Sequence, residues 1–285
     1  MTAISTQTAP PSPLGRGLRL LVEPFSCYWK HRSLAWQMTK REIQGRYRGS
    51  ALGMLWAFLN PLLLLAVFTF IFSVIFQVRW NETVSDTGSF SLVLFTGLIC
   101  FWFFADCVQG GPNLIRGRVS YVKKVVFPLE IFAWVLVSVA LFHTMISSAV
   151  LFVAYFFILG LPPLTALLFP VMLLPLVFYM LGAVWFLAAL GVYLQDIGQL
   201  IGILVTMIMF LTPLFYPVDR VPESLRFVMQ VSPIAYTVEA ARTVVMWGEQ
   251  PNWSAWGLHL LAALLVMILG FAWFKLTRRG FADVL

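Results

Sequence analysis

From residue 54 onward the chain alternates runs of about 20 apolar residues with short polar breaks, and its basic residues gather in only some of those breaks. A helix rises about 1.5 Å per residue, so a run of that length crosses the ~30 Å hydrocarbon core of a bilayer. Composition agrees, with 60% hydrophobic and 11% charged residues. The pattern predicts an integral membrane protein whose function lies in what crosses the bilayer or happens inside it.

The runs are Met54–Val78, Phe90–Val108, Pro128–Leu159, Leu164–Leu194, Ile197–Tyr216 and Ala255–Phe274. Six spans put both termini on one side. The segment before the first run carries Arg16, Arg19, Lys30, Arg32, Lys40, Arg41, Arg46 and Arg48. The second-to-third break carries Arg116, Arg118, Lys123 and Lys124, and the C-terminus carries Lys275, Arg278 and Arg279. All of these fall on one face of a six-span bundle. The other face holds only Arg79, Arg220, Arg226 and Arg242. The positive-inside rule therefore places the N-terminus, the 109–127 break and the C-terminus in the cytoplasm, and topology alone accounts for most of these charges.

The first residues, rich in Pro, Ser and Thr, have no apolar signal core and are expected to be a flexible cytoplasmic segment, 1–32. Residues 33–53 mix Leu34, Trp36, Met38 and Ile43 with Lys40, Arg41, Arg46 and Arg48. That mixture predicts an amphipathic helix at the headgroups. The segment 217–253 is too polar for an ordinary span and too apolar for a solvated loop. Two short helices broken near Ser232–Pro233, dipping back into the outer leaflet, fit it better.

No phosphate-binding G-x-x-x-x-G-K-[ST] loop, metalloprotease H-E-x-x-H or nucleophile G-x-S-x-G occurs. No metal-ligand spacing is present, and the three cysteines Cys27, Cys100 and Cys107 suggest no disulfide framework. His143, deep in the third run, has no carboxylate nearby in sequence, which favours a helix-to-helix hydrogen bond over a proton relay. Asp106 and Glu130 are expected near span ends, as interfacial residues or partners of Arg116–Lys124. Gly198 and Gly202 form a G-x-x-x-G, usually a packing device between spans. Aromatics make up 16% of residues. Most suit lipid contact and interface belts, but Trp56, Phe101, Trp102, Tyr193 and Tyr216 are candidates for a lining that stacks on sugar rings.

Several segments taken in order resemble one family. Thr39–Gly53 followed by Trp56 and Pro61 resembles the entry segment of ABC-2 type permeases that export polysaccharides. Asn113–Arg116 through Lys123–Glu130 resembles the second-to-third loop of that family, and Thr212–Pro217 its fifth-span exit. Ser232–Arg242 is similar to its gate region, with Ser232 where Asn is expected. Arg279–Leu285 resembles its tail. The resemblance covers nearly all of the chain after residue 30 and is greatest to O-antigen and capsule exporters.

The resemblance implies an all-α integral membrane protein of six transmembrane helices, an N-terminal amphipathic interfacial helix at 33–53, and a transmembrane domain over 54–285. Within it lie a coupling loop, 109–127, and a re-entrant periplasmic gate pair, 217–253. Two copies would pair around a conduit in the bacterial inner membrane, and two separate ATPase subunits, holding ATP and Mg, would dock from the cytoplasm. This chain itself would hold no cofactor and no metal, have no catalytic residues and bind no nucleic acid. Asn113, Arg116, Arg118, Lys123 and Lys124 would couple to the ATPase. Arg41, Arg46 and Arg48 are candidates for a lipid-linked phosphate, and Tyr236, Glu239 and Arg242 for the gate. The alternatives are an ABC-2 permease for a drug, lipid or small molecule, and a membrane-embedded polyprenyl-phosphate transferase.

Overall fold

A computed structural model describes residues 13–75, 87–123, 127–218 and 221–285. Every regular element among the described residues is a helix, and none is a strand. The first helices are α1 (Pro13–Lys30), α2 (Arg32–Tyr47) and α3 (Trp56–Phe68), the last continuing as a π-helical stretch over Thr69–Ile75. They are followed by α4 (Thr87–Gly110), α5 (Val119–Lys123), α6 (Ile131–Leu159) and α7 (Phe169–Tyr193). The chain continues through α8 (Ile197–Leu211), α9 (Glu223–Val231), α10 (Pro233–Arg242), α11 (Trp253–Thr277) and α12 (Phe281–Val284).

Among the described residues, five stretches are long and apolar enough to cross a membrane: Gly53–Phe72, Ser89–Gly110, Ile131–Leu159, Leu164–Tyr193 and Trp253–Val284. The predicted fifth run is shorter as a helix. α8 has 15 residues, about 22 Å at 1.5 Å per residue. It stops because Thr212, at φ −77° and ψ 139°, precedes Pro213 and takes the extended conformation that a following proline favours.

α4 is the hub. Its apolar residues surround the whole helix, and 83% of it is buried within the chain, against 17% for Gly53–Phe72. α3 therefore stands at the periphery with Leu62, Leu63 and Leu64 exposed. α7 and α11 pack backbone to backbone. A Cβ on Gly182 would come within 2.5 Å of the Val266 carbonyl oxygen, and one on Gly270 within 2.1 Å of the Gly182 oxygen. Trp185, fully buried beside this seam, lies edge-on to Phe271 and donates its indole N–H to the Glu130 carbonyl. The predicted G-x-x-x-G seam is not one within the chain. A Cβ on Gly198 would meet only Asn113, at 3.7 Å, and one on Gly202 nothing within 4 Å. Close packing instead uses Gly182, Gly191 and Gly270, which stand at no tell-tale spacing.

One expectation is corrected at the N-terminus. Residues 13–30 are helical, and α1 is strapped to the bundle. Phe25 meets Trp134 and Phe178, Tyr28 meets Trp134, and Glu23 pairs with Lys275. Residues 1–12 lie outside the described residues. α2 does not lie apart from the bundle. It runs beside the first half of α6, with Ala35 buried on Ile131 and Val135 at its start and Tyr47 against His143 at its end.

The three basic segments meet at one end of the bundle. Arg118 pairs with Glu42, Arg278 with Glu130, Lys275 with Glu23, and Arg116 donates to the Gln195 carbonyl. α10 packs at the opposite end against α4 and α7. It starts at Ser232, whose hydroxyl accepts from the Ala235 N–H, with Pro233 at the first helical position.

Candidate functional site

At the basic end, loop 111–118 is anchored by its apolar residues. Leu114 and Ile115 are buried, and the loop sits against α7 so closely that a Cβ on Gly191 would collide with the Pro112 backbone. Arg118 turns inward. It pairs with Glu42 and lies 4.9 Å over the Phe132 ring. Tyr121 on α5 packs edge-on against Phe127 and Phe132. Asn113 and Lys123 are exposed and Arg116 is half-buried; Lys124 lies outside the described residues. The loop is thus tied to α7 through Pro112, to α2 through Glu42 and to α6 through Phe132, and Tyr121 sets α5 beside the start of α6.

Beside it, Arg41, Arg46 and Arg48 line one open cavity of about 740 Å³, together with Glu42, Tyr47 and Met54. Glu42 is engaged by Arg118, and Arg46 stands 3.8 Å from Asp106. Arg41 and Arg48 have no acidic partner among the described residues. The cavity is thus net positive and open, suited to an anion that enters and leaves. Burial, as the largest cause, pushes the Tyr47 phenol upward, so at neutral pH it stays protonated and able to donate.

At the far end the Arg242 guanidinium is fully buried. Its Nε donates to the Val93 carbonyl at 3.2 Å, Nη1 to Pro213 O at 2.6 Å and to Glu239 Oε1 at 2.8 Å, and Nη2 to Leu214 O at 2.8 Å. The Pro213 and Leu214 carbonyls follow the end of α8, where the helical ladder has run out. Arg242 therefore ties α10 to α4 and to the α8 exit. Tyr236 stacks on His259 at 4.0 Å, nearly parallel. Gate candidates Tyr236, Glu239 and Arg242 share α10, but Arg242 faces the protein interior.

The five aromatic candidates are not gathered on one wall of the chain. Phe101 is 3% exposed, inside the core, which corrects its expected place on a conduit surface. Tyr193 sits at the basic end, donating to the Thr277 carbonyl. Tyr216 sits at the other end, its hydroxyl on the Phe210 and Leu211 carbonyls. Trp56 opens α3 and is half-buried. Trp102 lines a separate cavity between α3, α4 and α6.

Three ion or hydrogen-bond pairs lay beyond sequence reasoning. Asp106 pairs with Arg46 and Glu130 with Arg278, where the sequence suggested interfacial residues or partners of Arg116–Lys124. His143 does make the expected helix-to-helix bond, and its partner is Tyr47, 96 residues away. Sequence separation hid all three, since nothing local links a carboxylate to a base on another helix.

The model of the ABC-2 type transporter family matches residues 33–246. An O-antigen export system permease protein of Myxococcus xanthus is 29% identical over 90% of this chain and 96% of its own length. A protein of the same name from Klebsiella pneumoniae is 24% identical over 87% of this chain and 93% of its own. A second from that organism is 22% identical over the same shares.

Proposed function

The chain belongs to the ABC-2 type transporter family, and from that premise we propose that it exports a lipid-linked polysaccharide, of the O-antigen or capsule kind, across the bacterial inner membrane. It is a multi-pass membrane subunit of a transporter. The observation that carries the substrate class is the match, along nearly the whole of both chains, to relatives named as O-antigen export permeases.

In this reading two copies pair around a conduit, and the energy comes from a separate ATPase subunit holding ATP and Mg. The basic end is cytoplasmic, in keeping with the positive-inside rule. α8 serves as a sixth, short span, and α9–α10 as a re-entrant pair that makes up the depth it leaves. The ATPase grips Asn113, Arg116 and Lys123. Closure of the ATPase moves α5, and the anchored Leu114 and Ile115 carry that movement into α4 and α6. Arg41, Arg46 and Arg48 hold the lipid phosphate at the entrance, where each basic side chain near an anionic surface contributes about 1 kcal/mol.

Deleting the gene and analysing cell-surface glycans tests the reading. A surface polysaccharide should disappear and return on complementation, and its lipid-linked precursor should accumulate inside. An unchanged glycan profile with altered export of a drug or simple lipid refutes it. So does transport by the purified chain without an ATPase.

A further inference from the structure

Under Tyr47 a second cavity, of about 260 Å³, opens between α3, α4 and α6. Tyr47, Asn60, Asp106, His143 and Ser147 line it, with the Trp102 indole on its wall. Polar side chains in a membrane bundle are costly and ordinarily pair with one another. Here only some do. The Tyr47 hydroxyl meets His143 Nδ1 at 3.2 Å, and Asp106 meets Arg46 at 3.8 Å. His143 Nε2 is buried with no hydrogen-bond partner among the described residues. The Asn60 and Ser147 side chains likewise bond to nothing among the described residues, and the Asp106 side chain is 41% exposed.

The unused capacity has a recognisable chemistry. Asp106 offers acceptors, Asn60 both donors and an acceptor, and Ser147 a hydroxyl. His143 Nε2 donates when the Tyr47 phenol donates to Nδ1 and accepts in the other tautomer. A flat indole stands beside them. A ring with hydroxyls on its edge and C–H bonds on its face uses both kinds of surface. An acyl tail uses only the indole, and an inorganic anion would be repelled by Asp106.

The two cavities are neighbours. Tyr47 is a wall of both, and Arg46 of the first reaches Asp106 of the second. Groups suited to phosphate and groups suited to hydroxyls thus follow one another in the order that phosphate and first sugar follow in a lipid-linked glycan. We infer that the α3–α4–α6 cavity is a subsite for the sugar joined directly to the lipid phosphate, an inference that rests on the lipid-linked cargo proposed above. The transporter reads the first ring of its cargo there, before the chain is threaded.

The test uses the transporter with its ATPase partner in nanodiscs. Binding is measured for a polyprenyl diphosphate and for the same lipid carrying one hexose or N-acetylhexosamine, across a panel of such sugars. At least one glycosylated lipid should bind about tenfold tighter than the bare one, the scale of one or two well-placed hydroxyl contacts. Asn60→Ala and Ser147→Ala, which break no internal hydrogen bond, should each bring the two lipids closer in affinity, and together make them bind alike. Equal binding of bare and glycosylated lipids by the native protein overturns the subsite and leaves the phosphate site standing. A sugar preference that survives both substitutions removes it from this cavity. Binding of neither lipid overturns the subsite and the lipid-linked reading together.

Discussion

Arg242→Ala should loosen the junction of α10 with α4 and the α8 exit, and the structure sets the scale. The guanidinium supplies donors to three backbone carbonyls and to Glu239. Val93 lies inside α4, whose helical ladder already uses its carbonyl. Pro213 and Leu214 lie past the end of α8 and have no such ladder. A buried carbonyl left without a donor costs about 1–3 kcal/mol, which gives about 2–6 kcal/mol for the two. Hydrogen bonds inside membrane bundles measure lower, at about 0.6 and at most ~1.7 kcal/mol each, so about 1–3 kcal/mol is expected for the pair. Glu239 is half out of the core, at 38% side-chain exposure, and adds little. Arg242→Lys should recover only part of the loss, because one ammonium cannot reach carbonyls on both sides as a planar fork does. The assay is the thermal midpoint of the purified protein in one detergent. The alanine variant should fall by several degrees, with lysine between it and the native protein. An alanine variant that melts with the native protein would falsify the clamp, and so would a lysine variant indistinguishable from it.

Other outcomes follow from single contacts. Gly270→Ala should abolish monodisperse purification, since the new methyl would lie 2.1 Å from a backbone oxygen that cannot give way; Gly202→Ala, with nothing within 4 Å, is the control and should purify normally. The Cys27 thiol is pushed up to about 11, by burial first and then by the Glu130 and Glu23 carboxylates. Only the thiolate is alkylated, so below pH 9 its rate, read by peptide mass mapping, should be roughly a hundredfold below that of an ordinary thiol of pKa 9.0 and should climb as pH rises toward 11. A rate matching the unfolded chain at pH 8 contradicts that burial. Lys123→Glu should leave folding intact, because Lys123 is exposed, while lowering stimulation of the partner ATPase; full stimulation would remove α5 from the coupling path.

The membrane class and most helix positions were legible because apolar runs and their breaks are local in sequence. Run length was a poorer guide to helix length. Ile197–Tyr216 reads as a full span, yet Pro213 ends the helix two residues earlier, and only the backbone geometry of Thr212 shows it. The N-terminal helix was not legible, because Phe25 and Tyr28 find their aromatic partners on α6 and α7, more than 100 residues on. The basic cavity was half legible. Arg41, Arg46 and Arg48 stand close in sequence, but the carboxylate beside Arg46 comes from α4 and the imidazole beside Tyr47 from α6. Arg242 was legible as a charge in an apolar stretch, while its inward direction depended on where α8 would stop.

The contact of Gly182 with Gly270 bears on how the polypeptide is made. α7 leaves the ribosome well before α11, with α8, α9 and α10 in between, so its glycine groove must wait in the lipid until the last segment is inserted. A chain that stops short of α11 leaves that groove uncovered.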